Sequence, residues 1–258
     1  MDRATLNQVG TIKVVGVDAL SESHGREFMP HPLAHNRSSP FANLDEYTAY
    51  ATEVVDRVMH GDLGGFKQWF DTYVNADLRV ECTVDTPDAR RERIVAHRSD
   101  QFGFLAAQQI DDDVVDIYTL SPYELGAAIT AFSPLTKPGE HSKVIIPELL
   151  GRPERDTEDE DDAVSVRRRV DLPDGTLVPR TEVAMFGRVQ SRWQPARDHG
   201  FDRTKNAVVW VRIRDDGDYI YAPGFAHLTP MSARGLTERI DELIAEDVAA
   251  IRQSRGLS

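Results

Sequence analysis

Hydrophobic and polar positions along this chain fall into two runs of short strands, each followed by an amphipathic helix. In the first run Leu78, Val80, Cys82 and Val84 alternate with Arg79, Glu81 and Thr83. That period of two predicts a strand with one buried face. Residues 93–98, 101–109 and 113–119 continue as a meander, with Ser99-Asp100 and residues 110–112 at hairpin connections. Leu120-Ser121-Pro122 then leads into a helix whose buried stripe is Leu125, Ala128, Ile129 and Phe132. Ser121, Pro122 and Glu124 fit its N-cap, N1 and N3 positions. The second run comprises residues 184–193, 207–214 and 218–222, with a turn at Asp215-Asp216-Gly217, and leads to Leu228-Thr229-Pro230. Thr229 is expected to cap, and Pro230 to start, a last helix carrying Leu236, Ile240, Leu243, Ile244, Val248 and Ile251 at helical spacing.

The matching order of elements predicts an α+β fold in which two pseudo-symmetric units share one sheet. Upstream of the first unit, residues 6–17 read as a strand, and the Pro-containing stretch 23–41 reads as an irregular connection. Asn43 and Glu46 form a capping box for a helix with Leu44, Tyr47, Ala51, Val54, Val55 and Val58 at helical spacing. His60-Gly61 stops it. Asp62 is expected to cap a second helix with Leu63, Phe66, Trp69, Phe70 and Tyr73 on one face, completing a helical hairpin. One domain, 1–258, is expected, with halves at about 1–135 and 180–258 joined by segment 150–180. Within that segment residues 154–162 hold no apolar side chain and are expected to be mobile. Residues 163–170 fit a short helix, while Asp174-Gly175 fits a hairpin turn, and both readings stay open.

Composition narrows the function classes. The chain has 258 residues, 40% hydrophobic and 28% charged, as in ordinary globular proteins. Its formal charge is −13, of which seven acids and one Arg in residues 154–162 supply −6. That balance argues against binding a phosphate backbone, which needs clustered Lys and Arg. Neither a secretion leader nor a bilayer-spanning apolar run is visible, so a cytoplasmic location without membrane insertion is expected. The single cysteine, Cys82, excludes an internal disulfide.

Candidate chemistry is sparse. His31 and His35 have metal-ligand spacing, but Pro30 and Pro32 forbid the helix that would aim both at one ion. A surface or turn role is expected for them, and a core or surface place for His97 and His227. Cys82 alternates with apolar neighbours, the pattern of a buried hydrophobe rather than an activated thiolate. No nucleophile elbow or phosphate-binding glycine loop occurs, and no catalytic residue, cofactor or metal is assigned. The aromatics admit two readings: Phe102 and Phe104 on one strand face, with Trp193 and Trp210 in the second half, either pack under helices or grip a partner.

Residues 92–134 resemble the EspG family, associated with actinobacterial type VII (ESX) secretion. The likeness lies in an Ala-His-Arg strand, a Leu-Ala-Ala-Gln strand and a Leu-Ser-Pro-x-Glu-Leu helix start, in that order. Met29-Pro30-His31-Pro32-Leu33 and Phe186-Gly187-Arg188-Val189 extend it. Residues 214–219 and the acidic run 154–162 depart from the family pattern. The resemblance implies a quasi-two-fold, mainly antiparallel sheet with two flanking helical bundles, and a non-enzymatic chaperone. Its partner would be a PE–PPE heterodimer in a 1:1:1 complex, held by the apolar tip of the PPE protein before export. Carried onto this chain, the grip falls on the 85–91 loop, parts of 93–109 and helices after 163. Partner-binding candidates are Asp88, Arg90, Arg91, Arg98, Phe102, Phe104, Trp193 and Trp210. A hydrolase or small-ligand enzyme, with its site between the helical hairpin and the sheet, is the competing expectation. A subunit of a larger complex that uses its sheet edge is a third.

Because residues 154–162 lack an apolar anchor, deleting them should change unfolding free energy by no more than about 0.5 kcal/mol. Chemical denaturation of the two proteins checks this, and a loss of several kcal/mol would show that the run is docked.

Overall fold

The computed structural model describes residues 5–87, 89, 91–109, 111–149, 175–193, 200–202 and 204–256. The chain opens with β1 (Asn7–Lys13), α1 (Val14–Ser23), α2 (Leu44–His60) and α3 (Gly64–Val74). A meander follows: β2 (Leu78–Asp85), β3 (Glu92–Ser99), β4 (Phe102–Gln108) and β5 (Val114–Leu120), then α4 (Leu125–Phe132). After β6 (Val144–Ile145) and β7 (Thr176–Leu177) come β8 (Val183–Arg192), β9 (Val208–Ile213), β10 (Gly217–Tyr221) and β11 (Leu228–Pro230), and α5 (Ala233–Ser254) ends the fold.

Among the described residues these strands form one eleven-stranded sheet in the order β1-β5-β4-β3-β2-β8-β9-β10-β11-β6-β7. Every neighbouring pair is antiparallel except β6 and β7. Strands β2 and β8 meet at the centre, from Arg79↔Arg192 to Asp85↔Phe186. On one face α4 and α5 cover a core that includes Leu78, Val80, Cys82, Val189, Trp210, Leu236 and Ile240. Trp210 lies flat over Gly187, where a Cβ would come within 2.2 Å of the indole, so the close approach requires glycine. On the other face α1, α2 and α3 enclose Phe66, Trp69, Phe70, Val95, Phe104 and Ile117. A third cluster holds Val144, Val211, Tyr219 and Leu228. Each such side chain, fully buried, stabilises by about 1.5–3 kcal/mol.

Several expectations change. Strand β1 stops at Lys13, and Val14, Val17 and Leu20 turn one helical face into the aromatic core. Tertiary burial there outweighs the strand preference of β-branched residues. Asn43 caps α2 as expected, its Oδ1 accepting from the Glu46 N–H at 2.9 Å, while Glu46 accepts from the Ala42 N–H at 2.9 Å. Asp62 is not a cap: its carboxylate binds the Arg57 guanidinium at 2.8 Å, and Leu63 holds the N-cap position. Both later helices start four residues beyond the expected caps, at Leu125 and Ala233 rather than at Ser121 and Thr229. Leu228-Thr229-Pro230 instead pairs with β10, and the Ser232 Oγ accepts from the Gly235 N–H at 3.1 Å. The acidic run and residues 163–174 of the ambiguous stretch 163–180 lie outside the described residues, and Thr176–Leu177, within its described part, pair in parallel with β6. No helix among the described residues is long and apolar enough to cross a membrane.

Strand β2 departs from its expected single buried face, for Arg79, Glu81 and Thr83 are buried as well. With Gln190 and Arg192 of β8 they form a polar strip on the face opposite α4 and α5. Arg192 Nε lies 3.1 Å from Glu81 Oε2, and His31 Nε2 reaches the same oxygen at 4.0 Å. Arg79 donates to the Tyr73 carbonyl at 3.0 Å and lies over the Tyr73 ring at 4.1 Å. Removing one member of a buried ion pair strands the other charge. Glu81→Gln should therefore destabilise by about 3–5 kcal/mol, measured by urea denaturation. A loss below about 1 kcal/mol, the range of exposed pairs, would show that solvent reaches the strip.

Candidate partner-binding surface

The candidate residues separate to the two ends of the central strands. At one end the β2–β3 connection is closed at its base by Arg91, whose Nε donates to Asp85 Oδ1 at 2.5 Å. Arg93 donates to Asn36 Oδ1 at 2.7 Å and ties the start of β3 to the segment that follows α1. Asp88 and Arg90 lie outside the described residues. At the other end, about 25 Å away along β2 at ~3.3 Å per residue, sit Arg98, Phe102 and Trp193. Phe102 and Phe104 do share a strand face. Phe102 is 51% exposed at its end, whereas Phe104 is buried and stacked on His97 at 5.8 Å between ring centres. Trp210 is fully buried over Gly187, and Trp193 is half-buried against the α4–α5 core. For Phe104 and Trp210, packing under helices is the arrangement found, because no partner reaches either ring without opening a core.

Beside Arg98 lies a groove of about 510 Å³ that the candidate residues did not delineate. Pro122, Tyr123 and Leu125 form one wall, and Ile244, Val248 and Ile251 of α5 form the other. Local sequence explains both walls. The turn at Ser121, closed by the Glu124 N–H to the Ser121 carbonyl at 3.0 Å, carries Tyr123, which is 79% exposed. Gly126 lets α4 close on α5, since a Cβ there would fall 2.2 Å from Asp241 Oδ1. Along α5 the residues Leu236, Ile240, Leu243 and Ile251 are spent on the core, while Ile244 and Val248 are only half-buried. The apolar stripe is wider than the sheet needs. The rim is charged: Arg98 pairs with Asp77 at 3.2 Å, and Asp241, Arg252 and Arg255 complete it. Partial burial raises the Asp241 carboxyl above its usual range. Such a surface offers apolar contact area within a polar rim, the arrangement of a protein-binding site. The signal was present in the sequence as adjacent Leu243 and Ile244, which one narrow stripe does not require.

The place expected for an enzyme site is filled at its centre, with an open hollow of about 400 Å³ at its edge between α3 and the β3–β4 turn. Between the α2–α3 hairpin and the sheet, Phe66, Trp69, Phe70 and Tyr73 pack on Val95 and Phe104. Burial pushes the Cys82 thiol up to about 12, so no thiolate forms there near neutral pH. His31 and His35 turn to different carboxylates, Glu81 and Asp18. Among the described residues no group of three His, Cys, Asp or Glu side chains could hold a metal ion.

The EspG family model matches residues 13–242 of the chain. The chain belongs to the EspG family. Chaperones associated with ESX secretion make up this family. No curated protein matches the chain. The matched span covers Arg91, Arg98, Phe102 and Trp193 but ends within α5. Ile244, Val248 and Ile251, the α5 wall of the groove, follow it. In this EspG chain the helix cap and the buried Leu236 and Ile240 lie inside the matched span, while Leu243, Ile244, Val248 and Ile251 lie beyond it.

His97 supplies a test of the core beneath Phe104. Its Nε2 lies 3.2 Å from the Trp69 carbonyl, and burial pushes its pKa down to about 3. The unfolded chain, with an ordinary histidine near 6.5, binds a proton first. Stability should therefore fall as pH drops from about 6.5 towards 3, with His97 contributing at most about 1.4 kcal/mol per pH unit. In His97→Phe that acid slope should flatten, as read from urea midpoints between pH 4 and 7. Equal slopes in both proteins would show that His97 is solvated.

Proposed function

We propose that this chain is a cytoplasmic ESX chaperone that binds the apolar tip of the PPE protein in a PE–PPE heterodimer and keeps it soluble before export. The groove carries this reading: half-buried Ile244 and Val248 face the exposed Tyr123 across a hollow of about 510 Å³. An exposed apolar tip is an aggregation hazard until a complementary surface covers it. Membership of the EspG family supports a protein client of the ESX system. The architecture is consistent with a quasi-two-fold domain in which β2–β5 with α4, and β8–β11 with α5, lie on either side of the β2–β8 pair. In this reading α4 and α5 form one flanking bundle and α1–α3 the other.

The two ends of the sheet then have different roles. The groove supplies affinity through apolar burial, and the charged 85–91 loop, with Asp88, Arg90 and Arg91, selects the client. Arg98 borders the groove, whereas Phe102 is exposed on the opposite face of the sheet, beside α3.

Co-expression with a PE–PPE pair followed by size-exclusion chromatography tests the proposal. A 1:1:1 complex that persists in moderate salt is expected, because screening does not weaken apolar burial. Val248→Asp should weaken the complex at least about tenfold, the equivalent of ~1.4 kcal/mol, by placing a charge against apolar surface. Arg91→Glu should change which client is accepted. If the PPE protein is equally soluble without the chain, and no complex elutes at low or high salt, the reading is wrong.

A further inference from the structure

A second, smaller hollow lies on the opposite flank of α5 from the groove. Its volume is about 260 Å³, and Ser191, Lys205, Asn206, Glu246 and Asp247 line it. Asp247 is 5% exposed and Ser191 3% exposed. Lys205 Nζ donates to Asp247 Oδ1 at 2.7 Å and to the Ser191 carbonyl at 2.9 Å. Asn206 Nδ2 donates to Glu246 Oε2 at 2.9 Å. Asp247 Oδ2 and Ser191 Oγ are buried and have no hydrogen-bond partner among the described residues.

A buried carboxylate oxygen without a donor is costly, and among the described residues that line the hollow there are two carboxylates, Asp247 and Glu246, and one ammonium, Lys205. The missing group is thus a hydrogen-bond donor carrying positive charge. A divalent metal fits poorly, because Lys205 Nζ already occupies one carboxylate oxygen and too few oxygens are left to complete the ion's coordination shell. The geometry points to a site for a second primary ammonium in the hollow that Asp247, Ser191 and Glu246 share. Three N–H donors in a compact head suit three separate oxygen acceptors better than the planar fork of a guanidinium. A lysine side chain of a bound partner and a free alkylamine share this chemistry. The partner source rests on the client-binding reading above: a client seated in the groove would only have to cross α5 to place a lysine here, fixing its register.

The full chain, isotopically labelled, is titrated with n-butylammonium chloride and followed through the backbone amide resonances of Ser191, Lys205 and Asp247. Tetramethylammonium chloride at equal ionic strength is the control, since it carries charge but no N–H. Saturable shifts with butylammonium alone are expected, with binding about tenfold weaker in Ser191→Ala. Asp247→Asn should abolish the shifts. Because that change leaves Lys205 without its charged partner, Ser191→Ala decides the matter if Asp247→Asn fails to fold. Linear drifts that are equal for both salts would overturn the site and leave it a water pocket. The same titration on the PE–PPE complex separates the sources. Loss of the response shows that a partner lysine fills the site, and an unchanged response assigns it to a free amine. If no complex forms, the client reading fails while the titration of the free chain still decides the ammonium site.

Discussion

The antiparallel pairing of β2 with β8 is the constraint on which the rest of the molecule depends. It joins two sets of strands, separated in sequence by about a hundred residues, into one sheet whose two faces carry different cores. Side chains on neighbouring strands share a face with a period of two, so a slip of one residue would exchange those faces. If β8 slipped, Gln190 and Arg192 would take the place of Val189 under α4 and α5. The buried pair Glu81–Arg192 makes that slip expensive, because Arg192 would enter an apolar core and leave Glu81 unpaired on the other face. The polar strip thus fixes the register more than it stabilises the fold.

Helix α5 is the element that converts this frame into a surface. Its deepest residues, Leu236 and Ile240, close the core that lies over β2, β8 and β9. Its remaining positions divide into two flanks. One flank offers Ile244 and Val248 to the groove beside Tyr123, and the other turns Asp247 towards Ser191 and Lys205. In the proposed reading the apolar flank would set affinity for a client, while the free Oδ2 of Asp247 would disfavour partners that lack a donor.

Sequence by itself determined most of the elements. Alternation in β2, the run of Phe66, Trp69, Phe70 and Tyr73 in α3, and the long stripe of α5 are local periodicities, and each marks a face before any neighbour is known. The resemblance of residues 92–134 to EspG proteins also lay in order and spacing, and the family match over 13–242 accords with it. Tertiary structure alone decided the rest. Val14 and Val17 are helical because an aromatic core accepts them at that spacing, against their own preference. Arg79 and Glu81 are buried because a second covered face lies beyond β2, which alternation cannot reveal. Phe102 and Phe104 share a face yet differ in exposure, since α3 covers one and not the other. The groove needs Tyr123 and Val248, more than a hundred residues apart, to meet across the α4–α5 contact. Periodicity reports which way a side chain points along its own element. What it points at depends on contacts between distant segments, and those exist only once the sheet has closed on β2 and β8.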